Sequence, residues 1–180
     1  LVQHLASAAD GANPLFEVRE VQKRLYVVIV SDKGLCGSYN MNIIKRAQAA
    51  VDRSQEDGVA TQVYTVGKKA GDHFAKRGYT VWKRADDYNG EATAQRGHEV
   101  GDALVDAFID GQFDEIRVVF AEFISTMTQR PADNLVLPIA PEDTAGDDDD
   151  EDDEVAGLDY IWEPGQAELF DQLLPLYLRN

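Results

Sequence analysis

Apolar positions along this chain alternate between two rhythms. From Leu25 the run LYVVIV is continuous and rich in β-branched residues, which predicts a strand buried on both faces, as in a parallel sheet. Glycines end it at once. Ser38 or Asn40 then caps a predicted helix with the stripe Met41, Ile44, Ala47 and Val51, spaced by three and four residues, and Gly58 closes it. The cycle repeats: TQVYTVG (61–67) reads as a second strand and KKAGDHFAKRG as a short helix ending at Gly78. YTVWKRADD reads as a third strand. A helix follows, with the face Ala94, Gly97, Gly101, Leu104 and Phe108, whose two glycines let its axis approach a sheet closely. DEIRVVFAEF (114–123) is the fourth strand. The alternation predicts a three-layer, Rossmann-like α/β fold: a mostly parallel sheet with helices on both faces.

The rhythm breaks after Phe123. ISTMTQRPADNLVLPIA has two β-prone halves around RPAD, where proline and small polar residues favour a turn, so a late hairpin is expected there. Residues 141–158 carry an acidic run with too little apolar surface to pack, and read as a solvated loop. DYIWEP reads as a last short strand, and GQAELFDQLL as a helix with Phe170, Leu173 and Leu174 inward. Residues 1–11, with Leu1, Leu5 and Ala8 on one face and Gly11 after them, read as the tail of a longer helix. Residues 175–180 read as the start of another. The expectation is one α/β domain over 1–180, the globular middle of a longer protein whose terminal helices pass beside one another.

Composition narrows the partners. The 180 residues carry a formal charge of −16, and eight acids lie in the block DDDDEDDE (147–154), leaving 25 acids against 17 bases elsewhere. A field of that sign disfavours nucleic acid or an anionic lipid surface as a direct partner and suits basic or neutral proteins. Cys36 is the single cysteine, so no internal disulfide can form. No apolar run approaches the length of a membrane span.

The stretch SDKGLCGSYN (31–40) is where chemistry would be sought first, because a glycine-bearing loop at a strand end can cradle phosphate. It lacks the spacing and the following lysine of a Walker loop, and it lacks the third glycine and the later acid of a dinucleotide fingerprint. Gly34 and Gly37 are better explained as supplying positive backbone angles in a tight turn. Cys36 could be a thiolate near a helix N-terminus, but His4, His73 and His98 lie in separate segments and offer it no base, so a packed structural thiol is expected. Those histidines also lack metal spacing. Asp32 with Asp86 or Asp87 resembles the acid cluster of a phosphoacceptor site, yet the last strand supplies no lysine; a nucleotide-binding or phosphoacceptor domain is the alternative reading. No catalytic, cofactor-binding or metal-ligating residue is assigned, and no cofactor is expected.

LYVVIVSDKGLCGSYNMNIIKRA resembles the first strand, loop and helix of the gamma subunit of rotary ATP synthases, the central rotor shaft. IRVVFAEFISTMTQRPADNLVLPI is similar to that family's fourth strand and hairpin, and DYIWEPGQAELFDQLLPLYLRN to the segment leading into its C-terminal helix. The resemblance implies a non-catalytic stalk component that transmits rotation between a membrane-embedded, ion-driven ring and a catalytic hexamer of alpha and beta subunits. It also implies contact with the epsilon subunit and a place on the cytoplasmic face of a bacterial membrane. Ser31, Asp32, Gly34, Leu35, Cys36 and Gly37 would then form a structural family loop. In photosynthetic members an inserted cysteine pair follows the Leu-Pro segment and acts as a redox switch; the acidic block here holds no cysteine.

Overall fold

A computed structural model of the chain describes residues 14–86, 94–125 and 128–139. The expectations for residues 1–11, the acidic stretch 141–158, DYIWEP, the helix after it and residues 175–180 lie outside these. After a 3-10 turn at Pro14–Phe16, the elements are β1 (Lys23–Ile29), α1 (Tyr39–Glu56), β2 (Ala60–Val66), α2 (Lys68–Lys76), β3 (Val81–Ala85), α3 (Ala94–Ile109), β4 (Glu115–Phe123) and β5 (Gln129–Leu137). The sheet order is β3-β2-β1-β4-β5, with β1 parallel to both neighbours, β2 parallel to β3, and β5 antiparallel to β4. The three-layer, mostly parallel α/β architecture is therefore as the alternation of periods required.

The continuous apolar run of β1 divides between two cores. Tyr26, Val28 and Val30 point to one face, where Ile43, Ile44, Ala47 and Val51 of α1 and Ala70 and Phe74 of α2 cover them. Leu25 and Val27 point to the other, against Leu104, Ala107 and Phe108 of α3, with Leu15, Phe113 and Leu137 completing that layer. Burying both faces of a central strand is what removes the polar alternation from its sequence.

Three local expectations change. The inward stripe of α1 starts at Ile43 and not at Met41, which is 43% exposed. Gly97 faces solvent, with nothing within 4 Å of where a Cβ would lie, so it brings no close approach of helix to sheet; that helix seats itself through Leu104, Ala107 and Phe108. The RPAD turn is absent: Arg130 to Asp133 lie inside β5, and Pro131 pairs with Ala121. The hairpin closes earlier, where the N–H groups of Ile124 and Ser125 donate to the Thr128 carbonyl and the Thr128 N–H donates back to Ser125. A proline is tolerated because β5 is the edge of the sheet among the described residues, where a missing N–H can face outward.

The close approach lies instead at Gly67, between β2 and α2. Its φ is 102°, and a Cβ there would stand 2.1 Å from the carbonyl oxygen of Val30. The Gly67 N–H donates to Ala85 O at 2.8 Å and Val30 N–H to Val66 O at 2.9 Å, so three strand ends converge on this glycine. Only a residue without a side chain fits.

Candidate functional site

The carboxyl ends of β1 and β4 mark the topological switch point, since the chain moves to β2 on one side and reaches β4 on the other. Open α/β sheets bind ligands at such a point. Here the loop 31–38 crosses it. Asn40, in the first turn of α1 and only 6% exposed, holds the loop down: its Oδ1 accepts the Ser31 N–H at 3.0 Å and its Nδ2 donates to Lys33 O at 3.1 Å. The Ser31 hydroxyl donates to the same carbonyl at 2.7 Å. Asn40 was read from sequence only as a possible helix cap. Its side chain bonds backward to the loop, and Ser38 makes no side-chain cap bond either.

Pinned at its base, the loop projects its tip. Leu35 has φ 64° and is fully exposed, while Gly37 has φ 58°. The left-handed turn thus falls on Leu35 and Gly37, and Gly34 is not in that region. A branched side chain held at positive φ in water is costly and uncommon, a feature that clusters at functional sites. Cys36 is also exposed, with its Sγ 4.0 Å from Lys33 O, which overturns the expectation of a packed thiol. The reason is the loop path: Asn40 holds the base of the loop down and Cys36 falls at its projecting tip.

Between the loop and the hairpin lies an open depression of about 680 Å³, lined by Ser31, Cys36, Tyr39, Ala121, Phe123 and Gln129. Phe123 and Ile124 beside it are 67% and 54% exposed. Lys33, Lys68 and Lys69 are exposed on the β2 side of the loop. The surface is apolar with a basic margin, unlike the enclosed, convergent pocket expected of a small-molecule site.

The donors a phosphate would use are already engaged. Asp32 Oδ1 accepts the Lys68 N–H at 2.8 Å, so a carboxylate occupies the N-terminus of α2 where an anion would sit. Asp86 Oδ2 is 2.6 Å from Arg84 Nη2, which also reaches Asp72 Oδ1 at 3.1 Å. The hydrogen bond from Arg84 holds the Asp72 carboxyl below its ordinary pKa, and Asp86 and Asp72 together hold Arg84 above its own. Asp87 lies outside the described residues. The acids of the phosphoacceptor reading thus serve as a helix cap and an ion pair. Among the described residues no group of three His, Cys, Asp or Glu side chains could hold a metal ion, and no helix is long and apolar enough to cross a membrane.

Sequence reading missed a second polar cluster, under α1. Arg117 Nε donates to Asp133 Oδ1 at 2.8 Å and its Nη2 to the Asp133 carbonyl, tying β4 to the edge strand. Burial works against the charge on Arg117, but Asp133 and Glu115 outweigh it and hold its pKa up. Arg24 Nε lies 2.7 Å from Glu115 Oε1, close enough for an ion pair although the two atoms are not aligned as a hydrogen bond. Arg24 Nη1 donates to Ser54 Oγ, Ser54 to Thr61 Oγ1, and Thr61 to the Val59 carbonyl. These groups brace β1, β4, β5 and α1 against one another. Charges at alternate strand positions were the available signal.

Fold and site together define a doubly wound α/β domain with an antiparallel hairpin and an exposed loop at its switch point. The model of the ATP synthase family matches residues 1–180. The chain belongs to that family. It is 36% identical over 177 residues to the ATP synthase gamma chain of Nitratidesulfovibrio vulgaris, covering 97% of this chain and 59% of the relative. It is 32% identical over 181 residues to that of Desulforamulus reducens, covering 100% and 60%. The chain thus spans about three-fifths of the length of these curated relatives. Two solved structures share the fold: the central stalk and c-ring assembly of Tetrahymena thermophila mitochondrial ATP synthase (TM-score 0.64, 15% identity, 98% of this chain and 80% of that one), and the rotor of the Euglena gracilis enzyme (0.56, 19%, 98% and 63%).

Proposed function

We propose that this chain is the globular part of the gamma subunit of a rotary ATP synthase, a central-stalk component that carries torque and does no chemistry itself. The match of the family model over the whole chain carries this reading. The geometry supports it in two ways. The loop at the switch point is braced from below by Asn40 and offers Leu35, Cys36 and Phe123 outward, a surface for protein contact. The close-packed double core and the Arg24, Arg117 and Asp133 braces resist shear between strands, as a transmission element needs.

Its partners on this reading are the membrane ring, the catalytic hexamer of alpha and beta subunits and the epsilon subunit, on the cytoplasmic face of a bacterial membrane. The overall acidity fits protein partners and not lipid or nucleic acid. The test uses the full-length subunit carrying Cys36→Ser and Glu56→Cys, a probe attached at the exposed end of α1, and the assembled enzyme fixed through its hexamer. ATP addition is expected to turn the probe in one direction. A probe that stays fixed relative to the hexamer while ATP is hydrolysed overturns the reading.

A further inference from the structure

Away from the switch-point loop, the facing sides of α1 and α2 carry a row of polar side chains that neither the core nor the loop uses. Tyr79, in the turn after α2, donates its hydroxyl proton to Asp52 Oδ1 at 2.7 Å. Gln48, one turn before Asp52 on α1, also bonds to the Tyr79 hydroxyl. Gln48 Oε1 lies 3.0 Å from His73 Nε2, and His73 Nδ1 lies 3.1 Å from Nη1 of Arg77, the C-terminal cap residue of α2. Arg77 is exposed and the other four are half-buried.

The two ends of this row fix its direction. A carboxylate only accepts, so the Tyr79 proton goes to Asp52, and the Tyr79 oxygen is left to accept from the Gln48 amide nitrogen. The Gln48 carbonyl oxygen therefore faces His73 and accepts from its Nε2–H. At the other end a guanidinium only donates, so His73 Nδ1 carries a lone pair toward Arg77. Every bond from Arg77 through His73, Gln48 and Tyr79 to Asp52 runs one way. Only the neutral imidazole with its proton on Nε2 satisfies all of them.

We propose that His73 and Arg77 form a proton-operated latch that ties the end of α2 to α1 and opens when His73 is protonated. A proton taken up at Nδ1 sets a second donor and a second positive charge opposite Arg77 Nη1, 3.1 Å away. The Arg77 bond is lost and its exposed side chain turns into water. The other charged groups on the facing turns do not replace it. Asp52 is held by Tyr79 and Asp72 by Arg84, while Lys45 and Arg53 of α1 and Lys69 and Lys76 of α2 carry the same sign as Arg77. Burial, and then the Arg77 charge, hold the imidazole below its ordinary pKa, which keeps the latch closed at neutral pH.

Opening is local. The N–H groups of Arg77, Gly78 and Tyr79 reach Phe74 O, Ala75 O and Phe74 O at 3.2 Å each, long for such bonds. The first turn of α2 stays held by Asp32, and Phe74 stays in the core. The latch stands on this geometry whether or not the chain turns in a motor.

Nuclear magnetic resonance of the 180-residue chain tests it, with His73 assigned by the signal lost in His73→Gln. The expected results are a neutral Nε2–H imidazole at about pH 7.5, a His73 pKa that rises in Arg77→Ala, and amide protection at Arg77, Gly78 and Tyr79 that falls about threefold or more on acidification to about pH 5.5. Val27 and Val28 in β1 are expected to keep their protection over that range, and His73→Gln to show no fall at the end of α2. The proposal is overturned by an Nδ1–H imidazole at neutral pH, by an unmoved pKa in Arg77→Ala, or by unchanged protection after α2. An equal fall in β1 also overturns it, because the whole fold would then be loosening and not one helix end.

Discussion

Gly67→Ala is the sharpest perturbation this fold offers. An added Cβ would meet the Val30 carbonyl oxygen at 2.1 Å and its carbon at 2.8 Å, both backbone atoms of a central strand. Relief requires β1 and the start of α2 to part by about 1 Å. That strains or breaks the Val30 to Val66 and Gly67 to Ala85 hydrogen bonds, about 1 kcal/mol each. Holding alanine at φ 102° adds about 1 kcal/mol, and overpacking a rigid site about 1–3 kcal/mol more. The sum is about 4–6 kcal/mol, a large part of the ~5–15 kcal/mol that holds an ordinary domain. Gly58→Ala is the control: its φ of 81° carries the same backbone penalty, but nothing lies within 4 Å of its Cβ, so about 1 kcal/mol is expected. Urea denaturation followed by circular dichroism measures both. With a slope near ~2 kcal/mol per molar, Gly67→Ala should lower the midpoint by about 2–3 M or prevent folding, and Gly58→Ala by about 0.5 M. Equal shifts for the two would refute the reasoning, because they would mean the Val30 carbonyl exerts no steric demand.

The other predictions rest on single contacts. His73 Nε2 meets Gln48 Oε1 at 3.0 Å, with Arg77 on its Nδ1 and the Phe74 ring at 5.4 Å; burial first, and Arg77 second, lower its pKa. The unfolded state then binds the proton more readily, so His73 contributes stability that is complete above about pH 6.5 and is lost as the pH falls toward the lowered folded value. The urea midpoint of His73→Gln should fall less than that of the parent between pH 7 and 5.5, and parallel curves would contradict this. Asp133→Ala leaves Arg117 half-buried without its main partner, with an expected loss of about 2–3 kcal/mol in the same urea assay; a loss under about 0.5 kcal/mol would show that β5 needs no brace. The native protein should take up one equivalent of maleimide at Cys36 within minutes, and protection of that thiol until denaturant is added would refute the loop path.

Much of this architecture was legible in one dimension. LYVVIV, TQVYTV and IRVVFAEF announce themselves as strands because burial on both faces leaves no place for polar alternation, and Gly58 and Gly78 follow their helices for the backbone reason that glycine favours such ends. The family was legible too, from the SDKGLCG string and the segments around it. What the sequence could not settle was which side chain does a job that several could do. Asn40, and not Cys36, fills the buried place under the loop, since both are small and only the fold shows which one points inward. Gly67, and not Gly97, meets the backbone of another element, because a close approach is a property of two segments and a sequence displays one at a time. Pro131 sits within a strand since β5 is an edge among the described residues, and an edge is defined by which strands pair, not by the residues of the strand itself. The sequence by itself determined the alternating strands and helices from Leu25 to Phe123, their layering and the family, which follow from local backbone preference and hydrophobic period. The tertiary structure alone decided the exposed loop, the braced charges and the close approach at Gly67, because each depends on contacts between residues distant in sequence.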